Sequence, residues 1–184
     1  MKELSLNILD VAQNSVRAGA TLIEIEIIED TGKNEMLIGI YDNGSGMSVE
    51  QVKRVMDPFY TTRTTRKVGM GIPLFKMAAE MTGGSLEIFS RKNEGTRFTA
   101  RFKTDSIDFT PLGDMCSTVT MLIIMNTDRD FVYSRSIDEK NFELDTRQMK
   151  SILDGVSLNE PEVVEWMKDY INEQTQIISG GVKL

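Results

Sequence analysis

The chain has no histidine and a single cysteine, Cys116, in 184 residues. Without histidine it lacks the commonest metal ligand, the commonest general base and any phospho-accepting histidine of its own. One cysteine rules out an internal disulfide, argues against a zinc site and suits a reducing cytoplasm, the expected location. Long apolar runs are missing too. The longest, Val119 to Met125, is of strand length, far short of the roughly 18 residues a membrane-spanning helix needs, so no membrane association is expected. The opening Met-Lys-Glu-Leu lacks the apolar core of a signal peptide, so export is not expected. Positive charge is in deficit: 21 Lys and Arg stand against 28 Asp and Glu, a net charge of −7. Such a chain repels nucleic acid, and a polyanionic ligand would need a local basic cluster.

What is present is ordinary globular material, 40% hydrophobic and 27% charged. The length suits one domain with an appendage. Leu4 to Ala18 has helical periodicity, with Leu4, Ile8, Leu9, Val11, Ala12 and Val16 on one broad face. Asn7, Asp10 and Asn14 share an opposing arc of about 60° that reads as a polar face. Gly19 then suits a C-terminal cap.

Thr21 to Ile28 and Met36 to Tyr41 read as a hairpin. Ser48 and Gln51 open a short helix as a capping box, Pro58 stops it, and Phe59 to Val68 is aperiodic, basic and loop-like. A helix from Ile72 to Met81 ends at Gly83-Gly84, and Ser85–Ser90 and Thr96–Lys103 form a second strand pair. This order predicts an α/β sandwich with helices on one face of the sheet.

Thr104 to Thr110 reads as a junction. Beyond it, Ser117–Met125 and Asp130–Ile137 are expected to form a hairpin. Asp145 and Gln148 would then open a helix to Leu153 before Gly155. Asn159 and Glu162 would open a last helix, with Val163, Trp166 and Tyr170 on one side as core.

Four separated elements carry chemistry. Asp10-x-x-x-Asn14 places a carboxylate and an amide on one helix face, where the amide oxygen can join a Mg²⁺ shell and the carboxylate can orient or deprotonate water. Asp42-Asn43-Gly44-Ser45-Gly46 follows a strand, so Asp42 can accept from an adenine amino group while the glycines allow close approach. Asp57 to Thr62 leads to Lys67-Val68-Gly69-Met70-Gly71 ahead of a helix. Backbone N–H groups there, with Arg63, Arg66 and Lys67, suit phosphate. Gly95-Thr96-Arg97-Phe98 opens a strand on which the Thr96 hydroxyl can help hold the base edge.

In order, D-x-x-x-N, DNGSGM, DPFYTT, GMG and GTRF resemble the N box, first glycine box, F box, second glycine box and G-T-x-F of the GHKL superfamily of ATPases, over about residues 4 to 102. Asn14 to Thr21 looks most like MutL, and Asp57 to Phe102 most like a histidine-kinase catalytic domain.

The resemblance implies a Bergerat-type two-layer α/β sandwich under a mobile ATP lid in residues 1–104, with 105–184 as an α+β extension of unassigned role. It assigns Asn14 to Mg²⁺, Asp42 to the adenine amino group, Gly44 and Gly46 to the adenine pocket, Lys67, Gly69 and Gly71 to the phosphates, and Thr96 to support of Asp42 through water. Met47, Phe59, Thr61, Thr62, Arg63 and Leu74 complete the implied nucleotide site, and Asp10 is the catalytic candidate. Asp10 stands where ATP-hydrolysing members carry glutamate, and Pro73 stands where many kinases carry a third glycine. The function expected is Mg²⁺-dependent ATP binding, with slow hydrolysis or phosphotransfer to a protein partner. The alternative is a non-catalytic nucleotide sensor acting on a protein partner. A homodimer is compatible with either.

Overall fold

The computed structural model describes residues 3–57 and 71–181. In chain order the elements are α1 (Leu4–Arg17), β1 (Leu22–Asp30), β2 (Glu35–Asp42), α2 (Val49–Val55), α3 (Gly71–Met81), β3 (Ser85–Arg91), β4 (Gly95–Lys103), α4 (Met115–Met125), β5 (Asp130–Ile137), β6 (Lys140–Asp145), α5 (Thr146–Leu153) and α6 (Pro161–Ile178). The strands form one sheet in the order β3-β4-β2-β1-β5-β6. All neighbours are antiparallel except β1 and β5, which run parallel.

Alternation along the strands builds the layers. Ile23, Ile25 and Ile27 of β1, Met36, Ile38 and Ile40 of β2, and Phe98, Ala100 and Phe102 of β4 are buried. Because side chains alternate, all of these point to one face, and α1, α3, α4 and α6 pack there. Phe75 of α3 docks on Phe98 and Phe102 with ring centroids 5.2 and 5.8 Å away. Each such buried ring is worth about 2–3 kcal/mol relative to exposure.

Among the described residues, those of the first hundred follow the sequence reading closely. The capping box at Ser48 and Gln51 is present in both directions, the hairpin of β1 and β2 is in full register, and Gly19 follows α1 at φ +75°. Asn7 departs from it. Its side chain is 2% exposed, with Nδ2 unpartnered, while Asp10 and Asn14 remain exposed. The helix angle is the same, but α1 is flanked by both α3 and α4, and its first N–H groups are held by the carbonyls of Pro111 and Leu112 at 2.9 and 2.7 Å. Burial at Asn7 is thus set by what packs alongside rather than by periodicity.

The extension differs more. Ser117–Met125, expected as a strand, lies within helix α4. Asp114 caps it by accepting from the Ser117 N–H at 2.8 Å and its hydroxyl at 2.6 Å. Met121 and Met125 are exposed yet apolar, so the sequence of the run shows no period to distinguish helix from strand, and here the cap decides. The expected hairpin partner β5 pairs instead with β6 and with β1, so the extension continues the same sheet and core.

Asp145 caps α5 as expected, accepting from the Arg147 N–H at 2.8 Å and also from the Gln148 N–H. The last helix begins at Pro161 with Glu160 at its cap, not at Asn159. Trp166, expected in the core, is 52% exposed and stacks on Tyr170 at 5.3 Å. Val163, Met167, Ile171 and Ile178 supply the buried stripe.

Candidate functional site

The strand register sets out one end of the sheet. Ile23, Asp42, Thr96 and Ser90 lie side by side across β1, β2, β4 and β3, on the face that carries the core. Asp42 is the last residue of β2, where the apolar alternation ends in a carboxylate. Its Oδ2 accepts from the Ser15 hydroxyl at 2.6 Å and its Oδ1 from the Gly44 N–H at 2.9 Å. A carboxylate offers about four acceptor positions, so each oxygen keeps capacity for an incoming N–H donor.

Residues of the first glycine box are held by the surrounding chain. Asn43 Oδ1 accepts from the N–H groups of Thr21 and Leu22, both at 2.9 Å, and Nδ2 donates to Thr21 Oγ1 at 2.8 Å. The Ser45 N–H donates to the Ala18 carbonyl at 2.9 Å. A Cβ on Gly44 would lie 2.9 Å from that same carbonyl, and one on Gly46, at φ +62°, would collide with the Arg91 carbonyl. Glycine is therefore required at both positions by the approach of α1's end and of the β3–β4 turn.

Ser90 is a hub that pattern reading missed. Its hydroxyl accepts from the Met47 N–H at 2.8 Å, lies 2.9 Å from Thr96 Oγ1 and donates to the Gly95 carbonyl at 2.9 Å. Since the carbonyl can only accept, Thr96 must be the donor to Ser90. The oxygen of Thr96 is left as an acceptor, so a water placed beside Asp42 can donate to both.

Ser15 was missed as well, although the sequence carried a signal. It falls in the middle of the apolar arc of α1, and it is 4% exposed. A serine at a core angle needs a polar partner; here that partner is Asp42.

Asp10 and Asn14 lie on the exposed side of α1. Asn14 Oδ1 accepts from Arg17 Nη1 at 3.1 Å. Asp10 reaches α3, for a Cβ on Gly71 would sit 3.0 Å from both Asp10 Cβ and Oδ2. Leu74, one turn further on, is half-buried, and Pro73 is accommodated in the first turn of α3. The sequence candidates Phe59, Thr61, Thr62, Arg63, Lys67 and Gly69, and with them the expected lid, lie outside the described residues. Among the described residues, no group of three or more His, Cys, Asp or Glu forms a metal cage. The oxygens of Asp10 and Asn14 fit Mg²⁺ only in its usual manner with nucleotides, one or two protein oxygens alongside phosphates and water.

A mixed sheet with a one-sided helix layer, ending in a carboxylate braced by α1 and followed by a glycine-rich turn, is the framework of an ATPase domain of the GHKL type. Residues 2–106 match the family described as "Histidine kinase-, DNA gyrase B-, and HSP90-like ATPase", and the chain belongs to that family, whose domains bind ATP. Among curated proteins, the sensor protein SrrB of Staphylococcus aureus strain NCTC 8325 / PS 47 is 35% identical over 103 residues, which are 53% of this chain and 17% of SrrB. The same protein from strain COL gives the same figures. The chain therefore spans a minor part of these relatives.

Among solved structures, the Aquifex aeolicus MutL ATPase domain complexed with ADP aligns with TM-score 0.50 at 15% identity, covering 84% of this chain and 70% of that one. The N-terminal domain of a DNA repair protein aligns with TM-score 0.50 at 15% identity, over 79% of this chain and 53% of that one. At that identity the likeness is one of fold, and at 84% of the chain it covers more than the family match over residues 2–106.

Proposed function

We propose that the protein binds Mg²⁺ and ATP at the end of the sheet marked by Asp42, and that it hydrolyses ATP slowly or passes the γ-phosphoryl group to a protein partner. The observation that carries this reading is the bracing of Asp42, whose two oxygens are fixed by Ser15 and Gly44 while remaining open to an amino donor. Asp42 would select adenine by accepting from its amino group, Gly44, Gly46, Met47, Leu74 and Thr96 would border the base, and Gly71 with Lys67 and Gly69 would face the phosphates. Asn14 would offer its amide oxygen to the ion after releasing Arg17. Bound Mg·ATP supplies a γ-phosphoryl group whose charge the ion partly neutralises. Asp10 would orient or deprotonate the attacking group. No acceptor histidine lies within these 184 residues. Residues 1–104 would carry the nucleotide and 105–184 would steady α1 through the Pro111 and Leu112 carbonyls.

A second reading is favoured by one contact. Asp10 lies against Gly71 at the start of α3, where a carboxylate complements the helix dipole, so it can brace the helix that follows the lid instead of working as a base. In that case nucleotide binding would signal to a protein partner without turnover. Single-turnover phosphate release by wild type and by Asp10→Ala separates the two. A general base is worth about 10²–10⁴-fold, so the enzyme reading requires a fall of that order with nucleotide affinity nearly unchanged. Release at background in both proteins, with no partner phosphorylated, leaves the sensor reading.

A further inference from the structure

The face of the sheet opposite the helices carries a charge pattern that nucleotide binding does not explain. Three rows of outward side chains follow from the register. The first runs Phe89, Arg97, Tyr41, Glu24, Val132. The second runs Glu87, Thr99, Gly39, Glu26, Ser134, and the third Ser85, Arg101, Leu37, Ile28, Ser136. Basic residues thus stand on β4 and acidic residues on β1, two strands apart with β2 between them.

Among the described residues no ion pair joins the two columns: Arg97 and Arg101 have no carboxylate partner, and Glu24 and Glu26 have no lysine or arginine within bridging distance. Arg97 lies instead 5.4 Å over the Tyr41 ring. The Tyr41 ring in turn lies flat across Gly39, where an added Cβ would collide with it, and its hydroxyl donates to Glu26 Oε2 at 3.2 Å. The centre of the face is therefore flat and aromatic. Phe89 at its margin is 60% exposed, and the adjoining cleft of about 330 Å³ is lined by Tyr41, Arg91 and Arg97 among others.

We propose that this face is the interface of a homodimer, with a second copy of the chain stacked on it about a two-fold axis that runs along β2. Rotation about that axis sets each β4 opposite the partner's β1 and each β3 opposite the partner's β5, row on row. Arg97 then meets the second copy's Glu24 and Arg101 approaches its Glu26 diagonally, while exposed Phe89 lies at the margin of the overlap. Tyr41, Gly39 and Leu37 lie on the axis and meet themselves. A two-fold axis across the strands would instead set arginine on arginine and glutamate on glutamate, so charge selects the first arrangement.

Stacked sheets lie about 10 Å apart with strands nearly aligned, a gap that arginine and glutamate side chains can span together. About an axis on β2 the two copies overlap from β3 to β5, four strand spacings. At about 4.8 Å each, and with strands of about seven residues, the overlapping flat area is on the order of 440 Å². This is about half of the roughly 800 Å² per partner of a standard interface, so a weak dimer is expected. Tyr and Arg at the centre are the residue types that dominate such interfaces. The proposal is independent of whether ATP is turned over.

The test is sedimentation equilibrium on the full chain. Wild type is expected to dimerise, more weakly as salt rises. The variants Arg97→Glu/Arg101→Glu and Glu24→Arg/Glu26→Arg are each expected to self-associate at least about tenfold more weakly, because each sets like charges face to face. Mixing the two variants restores opposite charges in every row, so a heterodimer of wild-type stability is expected. Circular dichroism and ATP binding of each variant establish that both are folded; should either fail, the single variants Arg97→Glu and Glu24→Arg replace them in the same mixing test. A wild type that stays monomeric at 100-fold the concentration used for binding would overturn the proposal. So would a dimer indifferent to these variants, or variants that do not rescue each other.

Discussion

The Ser15 hydroxyl donates to Asp42 Oδ2 across 2.6 Å, joining the middle of α1's buried arc to the last residue of β2. The Gly44 N–H holds the other oxygen at 2.9 Å, so the carboxylate is fixed at both atoms. Hydrogen bonds to a charged group are worth about 1.5–3 kcal/mol. Ser15→Ala is therefore expected to weaken ATP binding by about tenfold or more. Asp42→Asn is expected to weaken it further, because an amide presents donors where the adenine amino group needs an acceptor. Titration calorimetry measures both, and wild-type affinity in either variant would remove Asp42 from the role assigned to it.

Asn14 is exposed, and among the described residues its side chain accepts from Arg17 at 3.1 Å on the same helix. Its removal should cost the fold little, within about 0.5 kcal/mol for a surface position. The expected outcome for Asn14→Ala is a wild-type melting curve with nucleotide binding that no longer responds to Mg²⁺. A variant that unfolds would show Asn14 to be structural.

Gly46 is held at φ +62° with the Arg91 carbonyl where a Cβ would be. Backbone on both sides leaves nothing flexible to yield. Gly46→Ala is expected to destabilise the protein by about 3 kcal/mol or more, the sum of strain at positive φ and a backbone collision. Chemical denaturation reads this directly. A loss below about 1 kcal/mol would mean that the turn after Asp42 relaxes freely.

Asp145 caps α5 and is paired with Arg147 at 2.7 Å. Its hydrogen bonds with the Arg147 side chain, followed by the Arg147 N–H, hold its carboxyl below the ordinary 3.8. A depressed folded pKa adds stability that is complete above the ordinary carboxylate value and is lost as pH falls through the folded one. The acid limb of the stability curve below pH about 4 should thus be shallower in Asp145→Asn, which can still cap but does not titrate. Identical acid limbs would exclude Asp145 as a contributor.

The sequence by itself determined most of what is described in the first hundred residues. There each element carries its own punctuation: the capping box at Ser48, the glycines that end α1 and α3, the two-residue alternation of β1 and β4. The motifs also placed Asp10, Asn14, Asp42 and Thr96 on the right elements, because spacing within a helix or strand is a local property. Tertiary structure decided the rest. Whether Asn7 is wet or buried depends on α3 and α4 beside α1, and whether Val119 to Met125 coils or extends could not be read from its period, because exposed Met121 and Met125 are as apolar as the buried positions. Trp166 left the core because Met167 and Ile171 had already filled α6's inward face. The link between Ser15 and Asp42, 27 residues apart, exists only once α1 lies against the end of β2. The opposed charge columns exist only once β2 is inserted between β1 and β4, since strand order is written in pairings and not in the chain.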